Sequence, residues 1–181
     1  MKLLPIGIEN FKELIDKNYY YVDKTNLIAN IINEKVVLYT RPRRFGKTLN
    51  MSMLYYFFSI KEKDNAYLFD CLNISKNKDA LKHQNKYPTI FISLKEMKNS
   101  TFDAQVSSFG DIIKNVILQN KELLESVYVD ESDRVILQDF RFLKGTLNQL
   151  KYSLKTISRC LYNHYHQKVI ILIDEYDVPL Q

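Results

Sequence analysis

Apolar residues fall along this chain in two rhythms. One is the three- to four-residue repeat of a helix that buries one face, and the other is a short unbroken apolar run bounded by turn residues, which reads as a strand. The first rhythm predicts a short helix over 8–17, with Phe11, Leu14 and Ile15 on one side, and a second in "NLIANIINE", with Leu27, Ile28, Ile31 and Ile32. Between them "NYYYVDKT" (18–25) has high β-propensity, and its Asp23 and Thr25 are candidate helix caps. "KVVLYT" (35–40) is β-branched and apolar, and reads as a buried strand. A helix over 48–60 follows, with Leu49, Met53, Leu54, Phe57 and Phe58 on a stripe that reads as core. After a polar stretch (61–86), "YPTIFISLK" (87–95) reads as a second strand, led in by Pro88. Residues 102–126 repeat Phe109, Ile112, Ile113, Val116 and Ile117 at helical spacing, 128–135 reads as a connection, and 137–167 reads as helix interrupted near Lys144-Gly145. "KVIILIDEYDVPLQ" (168–181) carries the strongest strand signal. Apolar strands alternating with helices indicate an α/β fold with a parallel sheet covered on both faces.

Length and composition narrow the class. The 181 residues suffice for one domain with a full core. A hydrophobic fraction of 46% against 26% charged residues excludes a disordered chain and reads as globular. The net charge of +5 permits a polyanionic partner without requiring one. Cys71 and Cys160 are isolated, which excludes a disulfide framework or a zinc site built on C-x-x-C. His83, His164 and His166 have no metal-ligand partners in the sequence, and His164 and His166 read as surface residues. The apolar start of the chain is too short for a signal peptide or a membrane span, so a cytoplasmic, reducing setting without a membrane partner is the expectation.

The densest cluster of positive charge, Arg41, Arg43, Arg44 and Lys47, lies in "LYTRPRRFGKTLNMS". A phosphate-binding loop needs a strand that delivers the chain, a compact turn that aims backbone N–H groups inward, and a helix whose N-terminus adds about half a positive charge. It also needs a lysine for the β- and γ-phosphates and a hydroxyl for Mg²⁺. Val36–Thr40 is the candidate strand, Arg41–Phe45 the loop, Gly46 the point of close backbone approach, Lys47 the cation and Thr48 the hydroxyl. Arg43, Arg44, Phe45 and Leu49 complete the candidate binding segment. Arg41 stands where G-x-x-x-x-G-K-[ST] has its first glycine. Pro42 pushes it toward extended geometry, so Arg41 is expected to continue the strand and the turn to follow it. Arg43 and Arg44 either pair with phosphate or decorate an exposed loop.

"VIILIDEYD" supplies a partner motif: five apolar residues, Val169–Ile173, run into Asp174 and Glu175. Open α/β sheets bind ligands at the C-terminal ends of their strands, where these carboxylates fall. Asp174 would hold Mg²⁺ and Glu175 would orient the attacking water, roles that phosphoryl transfer assigns to carboxylates.

Together, "LPIGIENFKELI", "YYYVDKT", "RPRRFGKTLNMSML", "YPTIFISLK" and "VIILIDEYDVPL" resemble the AAA-ATPase-like domain family, over nearly the whole of 1–181. The resemblance implies a P-loop NTPase of the additional-strand class, related to archaeal-type ATPases, that uses ATP and Mg²⁺. It places Gly46, Lys47 and Thr48 on Walker A and Asp174 and Glu175 on Walker B, and makes Arg41 a family trait. Asp177 matches the last acid of D-E-x-D, and a tyrosine of "YYYVDKT" lies near where related ATPases shape the base pocket, although core packing is the simpler role. Family members often continue into a domain similar to PD-(D/E)XK nucleases. Because the chain stops shortly after Walker B, before the next strand, sensor and arginine finger, it reads as the N-terminal portion of such a domain. The function expected is a Mg-ATP-binding ATPase domain whose intact parent hydrolyses ATP to drive conformational change. The alternatives are a nucleotide-binding module without turnover that contacts nucleic acid or a protein partner, and a non-functional fragment.

Overall fold

The computed structural model describes residues 2–40 and 45–180, and the chain divides into two compact units, Met1–Thr89 and Ile90–Gln181. The first unit is built from α1 (Phe11–Asp16), α2 (Asn26–Ile31), α3 (Lys47–Phe58) and α4 (Lys78–Leu81), with 3₁₀ segments at Ile60–Phe69 and Asn73–Lys76. Asn10 caps α1 by accepting the Glu13 N–H at 3.0 Å, which frees the apolar side of this short helix to dock. Its core is aromatic: Phe11 stacks on Phe69, and Phe57 meets Phe69 edge-on, with ring centroids 5.2 and 5.1 Å apart. Met53, Leu54, Phe57 and Phe58 are buried as the stripe on α3 predicts, while Leu49 is only partly covered.

The long α3 is pinned at several points. The Phe11 N–H donates to Ser52 Oγ at 3.0 Å, and Asn50 Nδ2 donates to the Tyr39 hydroxyl at 3.0 Å. At its far end Asn85, held at φ 54, donates its amide to the Tyr56 and Ser59 carbonyls at 3.0 and 2.9 Å. These bonds fix the axis of α3 within its unit, and so the place of its first turn.

Two expectations fail in this unit. Residues 35–40 form no strand: they are extended, and Val36 is 90% exposed. A strand needs a neighbour for its N–H and C=O groups, and the two-stranded sheet of the described residues does not include 35–40. Thr25 occupies the N-cap position of α2 but does not cap it. Its backbone N–H and hydroxyl both donate to Asp23 Oδ1, and its Oγ1 accepts the Ile74 N–H at 3.1 Å, while Asp23 Oδ2 accepts the Asn73 N–H at 2.6 Å. The Asp23–Thr25 turn therefore ties the start of α2 to the 3₁₀ segment at Asn73–Lys76.

The second unit holds α5 (Phe102–Gln119), α6 (Glu131–Arg141), α7 (Leu147–Lys151), α8 (Ser153–Tyr165) and a two-stranded parallel sheet of β1 (Thr89–Ser93) and β2 (Ile170–Asp174). β1 begins at the boundary between the units. Ile90 and Ile92 from β1 join Ile113, Val116 and Ile117 from α5, Leu137 and Phe140 from α6, and Ile157, Cys160 and Leu161 from α8 in one aliphatic core. The helix expected over 102–126 ends at Gln119, and the connection expected over 128–135 already contains the first turns of α6. The interruption near Lys144-Gly145 is present. Leu143 takes φ 56, and a Cβ on Gly145 would come within 2.9 Å of the Phe140 ring, so only glycine lets the turn close there. His166 is exposed as expected, but His164 is half-buried because its Nδ1 bonds Ser126 Oγ at 2.8 Å.

Candidate nucleotide site

The first half of the candidate site is the turn into α3. Gly46 adopts φ 74 and ψ 31, the left-handed region that glycine enters without steric cost. The turn thus takes its special conformation at Gly46 itself, one residue before the lysine. No side chain caps α3, and the first helical bond runs from the Asn50 N–H to the Gly46 carbonyl. The N–H groups of Lys47, Thr48 and Leu49 therefore lie outside the helical ladder, at the positive end of the helix dipole. Lys47, Thr48 and Leu49 are partly exposed, and Phe45 is exposed on the outside of the turn. Arg41, Arg43 and Arg44, expected in the loop, lie outside the described residues.

One further locating signal is legible in the sequence. Asn50 interrupts the apolar stripe of α3, three residues before Met53 and seven before Phe57, and a polar residue on a core-facing stripe implies a buried hydrogen bond. That bond is the one to Tyr39, which tethers the extended segment before the loop to the helix after it.

The second half is the end of β2. The parallel ladder continues past β1 through a 3.0 Å bond from the Leu94 N–H to the Asp174 carbonyl. Burial alternates along β2, with Leu172 and Asp174 buried and Ile171 and Ile173 about two-fifths exposed, so the expectation of a strand covered on both faces holds for only one of them. Asp174 is 3% exposed, and its Oδ2 accepts no hydrogen bond among the described residues. A buried carboxylate oxygen without a donor is costly, and a cation would satisfy it. A carboxylate oxygen is a hard donor, which suits Mg²⁺. Glu175 then turns to φ 54, a left-handed position uncommon for a residue other than glycine, and its carbonyl accepts the Val178 N–H at 3.1 Å. This turn takes the Glu175 side chain out of the strand's alternation immediately after Asp174. Asp177 is half-buried two residues further on.

Other titratable groups are structural. Burial raises the Tyr21 phenol to about 12, and its hydroxyl lies 3.5 Å from Met53 Sδ while its ring meets Phe11 edge-on, so this member of "YYYVDKT" is a core residue. Burial also pushes the Cys160 thiol up to about 12. Among the described residues no group of three or more His, Cys, Asp or Glu side chains forms a metal cage, and no helix is long and apolar enough to cross a membrane.

A protein of Azotobacter chroococcum mcd 1 described as "Uncharacterized protein in vnfD 5'region" is 26% identical over 181 residues, 99% of this chain. The chain spans 30% of that protein's length. No solved structure matches. The family described as Predicted AAA-ATPase matches residues 5–181, a span that includes both halves of the candidate site, and the chain belongs to that family.

Proposed function

We propose that this chain is the nucleotide-binding part of a P-loop ATPase of the additional-strand class, and that it binds Mg-ATP. The observation that carries this reading is Gly46 in left-handed geometry opening an uncapped α3 directly onto Lys47 and Thr48. The backbone N–H groups of Gly46, Lys47, Thr48 and Leu49 receive phosphate oxygens, and Lys47 neutralises the β- and γ-phosphates. Arg43 and Arg44 add bidentate donors to the same anion. Thr48 and Asp174 hold Mg²⁺, and Glu175 orients and polarises the attacking water. Bound Mg²⁺ supplies neutralisation of the charge on the transferred phosphoryl group. The pairing of the two motifs on one nucleotide rests on their order in the chain and on family membership.

In the whole protein, turnover drives a conformational change. A second reading is a nucleotide-binding module without turnover, and phosphate release over hours with Mg²⁺ separates the two. Calorimetric titration with Mg-ATP tests the reading. Lys47→Ala should abolish binding, Glu175→Gln should leave it intact, and Asp174→Asn should remove the Mg²⁺ dependence while leaving weak binding of free ATP. Equal ATP affinity in wild type and Lys47→Ala would refute it.

A further inference from the structure

The stretch from Phe140 to Ile173 carries six of the chain's 26 Lys and Arg residues and none of its 21 Asp and Glu, so the whole positive excess of +5 resides there. The structure folds this stretch mainly into α7 and α8. The inner face of α8 (Ile157, Cys160 and Leu161) is buried in the aliphatic core. The outer face repeats at helical spacing: Lys151, Lys155, Arg159, Tyr162 and His166 are separated by four, four, three and four residues. All are exposed, and Tyr162 is 54% exposed. Tyr152, at the junction of α7 and α8, is 58% exposed. At the other end the His166 ring meets the exposed Tyr128 ring edge-on, with centroids 4.9 Å apart.

Three nearby acids are already engaged, while the exposed Asp130 acts on Arg159 only through its charge. Asp133, whose side chain is 7% exposed, takes Nε and Nη2 of Arg159 at 3.0 and 2.6 Å, and its pairing and charge hold the guanidinium above its usual value. Glu122 accepts the Tyr165 hydroxyl at 2.8 Å, and Asp139 accepts the Gln149 amide at 3.4 Å. Among the described residues Lys151, Lys155 and Lys168 make no ion pair. The face therefore presents unneutralised cations interleaved with exposed tyrosine rings along roughly 17 Å of helix.

We infer that this outer face of α7 and α8, with Lys168 just beyond it, binds single-stranded nucleic acid, with Lys151, Lys155 and Lys168 on phosphates and Tyr152 and Tyr162 stacking on bases. Alternating cations and exposed aromatic rings are the chemistry of single-strand platforms, because every base offers a π-face and every nucleotide a phosphate. A membrane surface fits less well, since the apolar side of α8 is committed to the core and leaves no apolar stripe to enter lipid. A purely acidic protein would use the cations but not the tyrosines. The inference goes beyond the nucleotide reading and does not depend on it, because its test contains no ATP.

The test is fluorescence anisotropy of a labelled 30-nucleotide oligo-dT titrated with the intact chain at several salt concentrations. Binding should weaken with salt with a log–log slope of about −2, at about 0.7 per phosphate for three contacts. Lys151→Glu with Lys155→Glu should weaken binding at least about tenfold and flatten the slope. Tyr162→Ala should weaken it about 5- to 100-fold, while Tyr162→Phe retains it. Lys63→Glu, half that charge change on an exposed lysine of the first unit, should have little effect. An iodouracil oligonucleotide should photocrosslink to Tyr152 or Tyr162, a readout that needs no variant to fold. The inference is overturned by absent binding at 50 mM salt, by equal losses from Lys63→Glu, by Tyr162→Ala binding like wild type, by crosslinks confined to the first unit, or by capture on phosphatidylserine vesicles without oligonucleotide binding.

Discussion

Val36-Val37-Leu38 and Ile170-Ile171-Leu172 are matching aliphatic runs, and each leads toward one half of the candidate site. The second forms β2, paired with β1, with Leu172 buried. The first stays extended without strand pairing, and its three residues are 90%, 47% and 69% exposed. The two runs have nearly equal intrinsic preference for extended backbone, so the difference lies in their surroundings. β2 has a neighbour strand to complete its hydrogen bonds and a helical layer beside it, whereas 35–40 joins no strand and is tethered to α3 by the Asn50–Tyr39 bond. β-propensity expresses how well a residue fits a pleated, half-buried surface, and without that surface the same residues gain nothing from pairing.

Substitutions can break or sharpen that contrast. The largest effect is expected at Ile92, buried in the β1 layer of the second unit, where Ile92→Ala should cost about 2–5 kcal/mol in thermal or urea unfolding. Val37→Ser, the control in the unpaired run, should change stability by less than about 0.5 kcal/mol. A cost at Val37 comparable with that at Ile92 would mean that 35–40 is paired in solution.

Next comes Gly46→Ala, which forces a Cβ into the left-handed region and should cost about 1–2 kcal/mol, even though no atom lies within 4 Å of the new Cβ. Because that strain sits at the start of α3, phosphate or Mg-ATP affinity should fall in the same variant, and unchanged melting would show that the turn has another conformation. Asp23→Ala should cost about 1 kcal/mol, as loss of a cap does, by releasing the Thr25 and Asn73 N–H groups. Partial burial pushes the Asp23 carboxyl upward, but hydrogen bonds from Thr25 and Asn73 and the nearby Lys76 charge hold it below the usual carboxylate value. Its contribution is therefore fully present above the unfolded value of about 3.9 and is lost as pH falls through the lower folded value. Wild type minus Asp23→Ala stability, measured from pH 6 to pH 2.5, should shrink only at the acid end. The smallest effect is expected from Glu175→Gly, which relieves the positive φ and should leave the melting temperature equal or slightly higher, a gain of at most about 1 kcal/mol. A clear loss would mean that the Glu175 side chain itself supports the fold.

Several elements were legible from the residues alone. The stripe on α3, the repeat on α5 and the break at Lys144-Gly145 follow from helical periodicity and from the one turn that glycine must close. Helices announce themselves because their hydrogen bonds are local and only their buried face depends on the rest of the chain. Gly46-Lys47-Thr48 and Asp174-Glu175 were legible for a related reason, since phosphate and metal chemistry fixes residue types at fixed offsets. The anchoring bonds of Asn85 and the Asp23–Thr25 turn were not legible, because their acceptors and donors lie dozens of positions away. The first turns of α6 were hidden by the acidic "DESDR", which reads as a connection although acids at a helix start favour its dipole.

By itself the sequence determined the order of helices, the two charged motifs and the stretch that holds all of the positive excess, because each depends on composition and spacing over a few residues. Only the tertiary structure decided which apolar run becomes a strand, that the special backbone conformation falls on Gly46 and Glu175, and that Asp174 keeps a buried carboxylate oxygen without a donor. Those outcomes depend on which groups arrive from distant parts of the chain to pair with a backbone or cover a side chain. Local spacing cannot specify them, since pairing and burial are properties of the packed neighbourhood.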